Sequence, residues 1–134
     1  MSARGLRNNN PGNIRKSNDL FLGEIRPSAD KAFKQFENMA YGYRAMFRIL
    51  GNYVKHYKLD TLEKVITRWA PPKENNTKNY IKSVSEWSGV DKDSKVWIDN
   101  RQQMCAIVAA MSRMENGVKA NMSEVEQGFD LAQK

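Results

Sequence analysis

A glutamate at the end of an apolar helical stripe is the group in this chain best placed to do acid–base chemistry. Met104, Ile107, Val108 and Met111 recur at helical spacing, and the next position on that stripe, four beyond Met111, is Glu115. Asn116-Gly117 then ends the helix. A carboxyl group there is partly desolvated and sits where the helix dipole disfavours negative charge. Both effects favour the protonated form that a general acid needs near neutral pH. The plainer alternative is a glutamate paired with one of the many Lys or Arg side chains, or turned out to solvent.

Two further stretches carry polar chemistry. Asn8-Asn9-Asn10-Pro11-Gly12-Asn13-Ile14-Arg15 cannot continue a strand or a good helix, because each Asn competes for its own backbone and Pro-Gly marks a tight turn. Such a loop offers paired donors and acceptors that suit an amide-bearing, polyhydroxylated ligand such as an N-acetylated sugar. Asn8, Asn9, Asn10, Asn13 and Arg15 are its candidate binding residues; the alternative is an Asn-rich turn that ends an N-terminal arm. In the stretch from Arg68 to Tyr80, Pro71-Pro72 stiffens a loop. Trp69 and Tyr80 offer flat faces for a sugar ring, with Glu74, Asn75 and Thr77 close by. The alternative there makes the two aromatics core residues and Glu74 a turn cap.

The elements that must position these groups are mostly helical. Apolar spacing predicts a long helix over about 40–57. A second opens on the pair Asp60/Glu63, carries Leu62, Val65, Ile66 and Trp69 on one stripe, and stops before Pro71. A third is capped by Thr77, turns Tyr80, Ile81, Val84 and Trp87 inward, and ends at Gly89. A fourth spans about Asn100 to Glu115. The last, about Ser123 to Gln133, opens on a Ser123/Glu126 capping box and buries Val125, Phe129 and Ala132. Phe21–Ile25 and Ala32–Phe36 read as two short strands around Pro27-Ser28-Ala29-Asp30, a minor β-like flap. The expected architecture is a mostly α domain over residues 1–134.

Composition excludes several classes of function. A chain of 134 residues can bury a real core. Its formal charge of +7 permits a polyanionic partner, but the basic residues are dispersed, without the clustered patch expected of a nucleic-acid binder. Cys105 is the lone cysteine and His56 the lone histidine, so neither a disulfide, a thiolate or histidine metal site nor a His-based triad has material. No glycine-rich phosphate loop is present, and no cofactor is expected. No apolar run reaches the roughly 20 residues of a membrane helix, and the N-terminus lacks the apolar core of a signal peptide. The expectation is synthesis in the cytoplasm, with delivery to the cell wall by a phage particle, a holin-like lesion or a secretion machine.

The segment Ala-Ile-Val-Ala-Ala-Met-Ser-Arg-Met-Glu-Asn-Gly, residues 106–117, resembles the helix of lysozyme-like cell-wall hydrolases, which ends in Glu followed by Ser, Thr or Asn and Gly. Asn-Asn-Pro-Gly-Asn-Ile-Arg, residues 9–15, resembles the motif that follows this glutamate in flagellar-type glucosaminidases. Residues 33–45 are similar to a later segment of the same family. There the glutamate helix comes first; here it comes last, so the chain reads as a circular permutation of that fold. Residues 4–132 as a whole resemble small phage and prophage virion or structural proteins. These carry Arg-Asn-Asn-Asn-Pro-Gly-Asn-Ile-Arg, then Arg-Trp-Ala-Pro-Pro-x-Glu-Asn, then Glu-Asn-Gly.

The resemblance implies that Glu115 protonates the oxygen between two amino sugars of peptidoglycan, with an acidic residue of the flap, Glu24 or Asp30, as the second group. It also makes Tyr80 a cleft residue, and Asn116 joins the binding set beside the acid. Hydrolysis and attack by the sugar's own 6-hydroxyl, the lytic transglycosylase outcome, both stay open. The expected partners are glycan strands and phage virion components. The rival is a non-catalytic virion, glycan-binding or nucleic-acid-binding protein, in which Glu115 is dispensable.

Overall fold

The computed structural model describes residues 3–134, and these are mostly helical with a small two-stranded sheet. Six helices occur among them: α1 (Arg4–Arg7), α2 (Met39–His56), α3 (Leu62–Trp69), α4 (Thr77–Ser88), α5 (Arg101–Asn116) and α6 (Met122–Ala132). Strands β1 (Glu24–Ile25) and β2 (Gln35–Phe36) pair antiparallel, with Glu24 opposite Phe36. No described helix is long and apolar enough to cross a membrane.

Each long helix begins on a side chain that accepts from an otherwise orphaned backbone N–H. Asn38, Asn76, Asn100 and Asn121 do this for α2, α4, α5 and α6, and Thr61 for α3. Such caps contribute about 1 kcal/mol each. Three expected caps are therefore displaced. Thr61 replaces Asp60, Asn76 replaces Thr77, and Asn121 replaces Ser123. The cap is in each case the residue with extended or otherwise non-helical backbone: Thr61 lies one step nearer the helix than Asp60, and Asn76 and Asn121 lie upstream of Thr77 and Ser123. Thr77 is instead the first helical residue, buried, its hydroxyl donating to the Ala70 carbonyl at 2.5 Å. Gly89 and Gly117 close α4 and α5 in the left-handed conformation, at φ 75° and 76°.

The core is one cluster to which α2, α3, α4, α5 and α6 all contribute. Helices α2 and α6 pack tightly at Gly128, where an added Cβ would lie 2.5 Å from the Tyr43 Cβ. Phe47 and Phe129 meet edge to face at 5.3 Å beside it. Cys105 is buried in this core, and burial pushes its thiol up to about 11. Trp87 does not join it. It is 41% exposed, and the Arg113 guanidinium covers its ring at 4.1 Å, a cation–π contact that keeps the indole at the surface.

The N-terminal segment forms an additional layer on the flap. Lys16 N–H donates to Ala32, Lys34 N–H to Ile14 and Phe36 N–H to Asn8, with an isolated antiparallel bridge between Arg15 and Phe33. Beneath the flap Lys34 is wholly buried. Its Nζ donates to both Glu24 oxygens, at 3.1 and 3.0 Å, and to the Asp19 carbonyl at 2.8 Å. An unsupported buried ammonium is prohibitively costly, so Glu24 is the partner that makes Lys34 tolerable.

Candidate functional site

Helix α5 carries Glu115 in its last turn, and the Asn loop, the end of α3 and the first turn of α4 converge on its carboxylate. Asn13 Nδ2 donates to Oε1 at 3.0 Å across 102 positions of chain. Tyr80 OH donates to Oε2 at 2.8 Å, and Trp69 Nε1 to the same oxygen at 3.4 Å. All three donors are neutral, and Glu115 makes no ion pair with a described Lys or Arg. The group is half-buried, neither salt-bridged nor swung into solvent. Burial, with the neighbouring Glu115 carboxylate adding to it, pushes the Tyr80 phenol far above its ordinary range, so Tyr80 remains a donor.

The loop that brings Asn13 here is built by its other asparagines. Asn10, fully buried, donates to the Ile14 and Lys34 carbonyls and accepts from Ile14 N–H. Asn9 donates to the Phe36 and Glu37 carbonyls, and Asn8 to Asp30. Asn9 and Asn13 adopt left-handed backbone, φ 52° and 50°, which Asn tolerates better than other residues with a side chain. Gly12 lets the loop lie against Trp69, where a Cβ would come within 2.8 Å of the indole. Asn116 is buried and donates to the Pro11 and Ser112 carbonyls, fastening the loop to the end of α5. Asn8, Asn9, Asn10 and Asn116 thus donate their amide N–H groups to the protein itself, Asn13 donates to Glu115, and Arg15 is the exposed candidate of this loop.

A cavity of about 420 Å³ opens over this cluster. Glu115, Asn13, Arg15, Trp69, Glu74 and Asn75 line it, and so do Arg68, Phe33 and Tyr53. Trp69 is half-buried with its ring on the wall, whereas Tyr80 is only 4% exposed and acts from below through its hydroxyl. Asn75 also donates to the Pro71 carbonyl at 3.3 Å, and Thr77 faces away into the core. Two larger hollows elsewhere, of about 540 and 810 Å³, contain none of these groups.

The two flap carboxylates are absent from the cleft. Glu24 is held by Lys34 and Arg26; burial opposes its ionisation, but the Phe21 N–H, Lys34 and Arg26 outweigh that and keep it below the usual carboxylate range. Asp30 accepts two 2.6 Å bonds from the Arg4 guanidinium. That contact first, then the Ala32 N–H, holds it far below the usual range. Both anions are structural ties of the flap. The carboxylate that does share the cleft with Glu115 is Glu74. Arg68 and Tyr53 were missed as cleft residues, although Arg68 stands next to Trp69 at the end of α3 and so shares its location.

No family model matches the chain. It is 39% identical over 133 residues, 96% of this chain and 81% of the relative, to Protein P5 of Pseudoalteromonas phage PM2. At that identity and coverage, this chain belongs to the family of that phage protein.

Proposed function

We propose that the protein is a phage-derived glycosidase that cleaves the amino-sugar strands of peptidoglycan, with Glu115 as general acid. The observation that carries this reading is the Glu115 carboxyl fixed by Asn13, Trp69 and Tyr80 at the edge of an open cleft. A general acid must be held within hydrogen-bonding reach of the leaving oxygen, and three donors from three separate segments hold it in one orientation. Trp69 supplies a face for a sugar ring and Asn75 supplies an amide for its N-acetyl and hydroxyl groups.

Glu115 donates its proton to the glycosidic oxygen as positive charge develops on the departing sugar. Glu74, which lines the same cavity, is the second carboxylate of the reading, either activating water or stabilising that charge. Attack by the sugar's 6-hydroxyl in place of water gives the anhydro product from the same acid. The close packing of the loop at residues 8–15 on the end of α5 supports a lysozyme-like site assembled in permuted order within one domain. Kinship to a phage protein supports association with a virion that carries the enzyme to the wall.

A non-catalytic virion or glycan-binding protein is the second reading, favoured by the openness of the cleft and by a relative whose name carries no activity. Digestion of purified peptidoglycan, with products identified by mass spectrometry, separates the two. The wild type should release muropeptides and Glu115→Gln should be slower by about a hundredfold or more. Wild type that binds sacculi and releases nothing refutes the glycosidase.

A further inference from the structure

We propose that the cleft selects amino-sugar strands bearing carboxylates beside the bond to be cut, recognised by Arg15 and Arg68; the inference rests on the glycosidase reading. Both guanidiniums line the cavity that holds Glu115. Each lies over aromatic rings: Phe33 and Tyr53 belong to the cavity wall, and Tyr57 lies outside it. Arg15 lies 5.4 Å from the Phe33 centroid, and Arg68 lies 4.6 and 5.6 Å from those of Tyr57 and Tyr53. A guanidinium held over a ring keeps N–H donors along its edge for a bidentate anion, and Arg68 shares one of its donors with the Tyr53 hydroxyl.

The remaining observation is what these two arginines lack. Arg4, Arg26 and Arg101 each sit on a carboxylate, at 2.6, 3.0 and 3.0 Å. Arg15 and Arg68 make no ion pair with a described carboxylate, although both are exposed and Glu74 lines the same cavity. Apart from Glu115 itself, the charged side chains that line the cleft are Arg15, Arg68 and Glu74. Positive charge also develops on the sugar in the transition state. Two cations without a carboxylate partner beside it oppose the reaction on a neutral strand, and a substrate carboxylate held by them removes that opposition. Two sources carry this chemistry in cell wall: the lactyl group of a peptide-free strand and the stem peptide of an intact one.

The test compares kcat/KM on four substrates: intact sacculi, peptide-free strands, the same strands with their lactyl carboxylates converted to methylamides, and neutral N-acetylglucosamine oligomers. Binding of each strand type to Glu115→Gln is measured in parallel. Peptide-free strands should exceed their methylamides about tenfold or more, and added salt should narrow the gap. Arg15→Gln/Arg68→Gln should bring that ratio close to one, and the Lys variants should keep part of it. A preference for intact sacculi alone assigns the carboxylate to the stem peptide. Equal rates on acid and methylamide strands and on intact sacculi, or an unchanged ratio in the double Gln variant, overturn the proposal. If nothing is cleaved, the glycosidase reading falls, and the binding ratio of acid to methylamide strands decides the carboxylate selection by itself.

Discussion

Replacing Lys34 with methionine removes the charge at the centre of the flap while keeping the aliphatic stem. Lys34 is fully buried, and its ammonium satisfies Glu24, whose side chain is 4% exposed, together with the Asp19 carbonyl. Once it is gone, Glu24 keeps the Arg26 guanidinium at 3.0 Å and the Phe21 N–H at 3.1 Å. Breaking a buried pair from one side costs about 3–5 kcal/mol, and the surviving Arg26 bond places the expected loss at the lower end, about 3 kcal/mol. For a chain of 134 residues that is a fall in Tm of about 10 °C. Thermal unfolding followed by circular dichroism measures it. Adding Glu24→Leu removes the orphaned anion as well, and the double variant should recover most of the loss, because an apolar pair of similar volume replaces a buried ion pair at little cost. A single variant within about 2 °C of wild type, or a double variant less stable than Lys34→Met, would refute the account of the flap as a structure held by this pair.

Gly42→Ala would place a Cβ 2.2 Å from the Asn9 carbonyl oxygen and 2.6 Å from Pro11, so α2 and the Asn loop must separate. The expected cost is about 2–3 kcal/mol by chemical denaturation. Asp30 has its folded-state acidity strengthened by Arg4, so its contribution is complete above its unfolded value and disappears as pH falls. The Tm difference between wild type and Asp30→Asn should be full at neutral pH and shrink below about pH 4. Tyr80→Phe removes the 2.8 Å bond to Glu115 and leaves the Asn13 and Trp69 donors in place. On the glycosidase reading kcat should fall about 10- to 100-fold, and an unchanged kcat would remove Tyr80 from the positioning of the acid.

The helices were legible because their signals are local. Apolar residues three and four apart mark a buried face, and a proline or a left-handed glycine ends the turn wherever it stands. α5 ends as its sequence predicts, at Asn116-Gly117, with Met104, Ile107, Val108 and Met111 buried. Caps were harder to read, since Asp60 and Thr61, Asn76 and Thr77, and Asn121 and Ser123 are all chemically able, and backbone geometry alone chooses between neighbours. Trp87 sits on the expected helix face, yet its width lets it lie at the rim, where Arg113 covers it.

The cleft was legible in its residue types and not in its partners. Sequence by itself determined that Glu115 ends an apolar stripe, that the loop at residues 8–15 cannot be regular structure, and that a stiff Pro-Pro loop follows Trp69. Each of these depends on neighbours a few positions away. Tertiary structure decided which asparagines face inward to their own backbone and which one reaches Glu115. It also decided that Glu24 and Asp30 tie the flap together while Glu74 stands in the cleft, and that Arg15 and Arg68 are left with rings and no anions. The physical reason is range. Asn, Glu and Arg can each satisfy many partners equally well, and the choice among them is made by a packed core that brings together groups as far apart in the chain as Asn13 and Glu115.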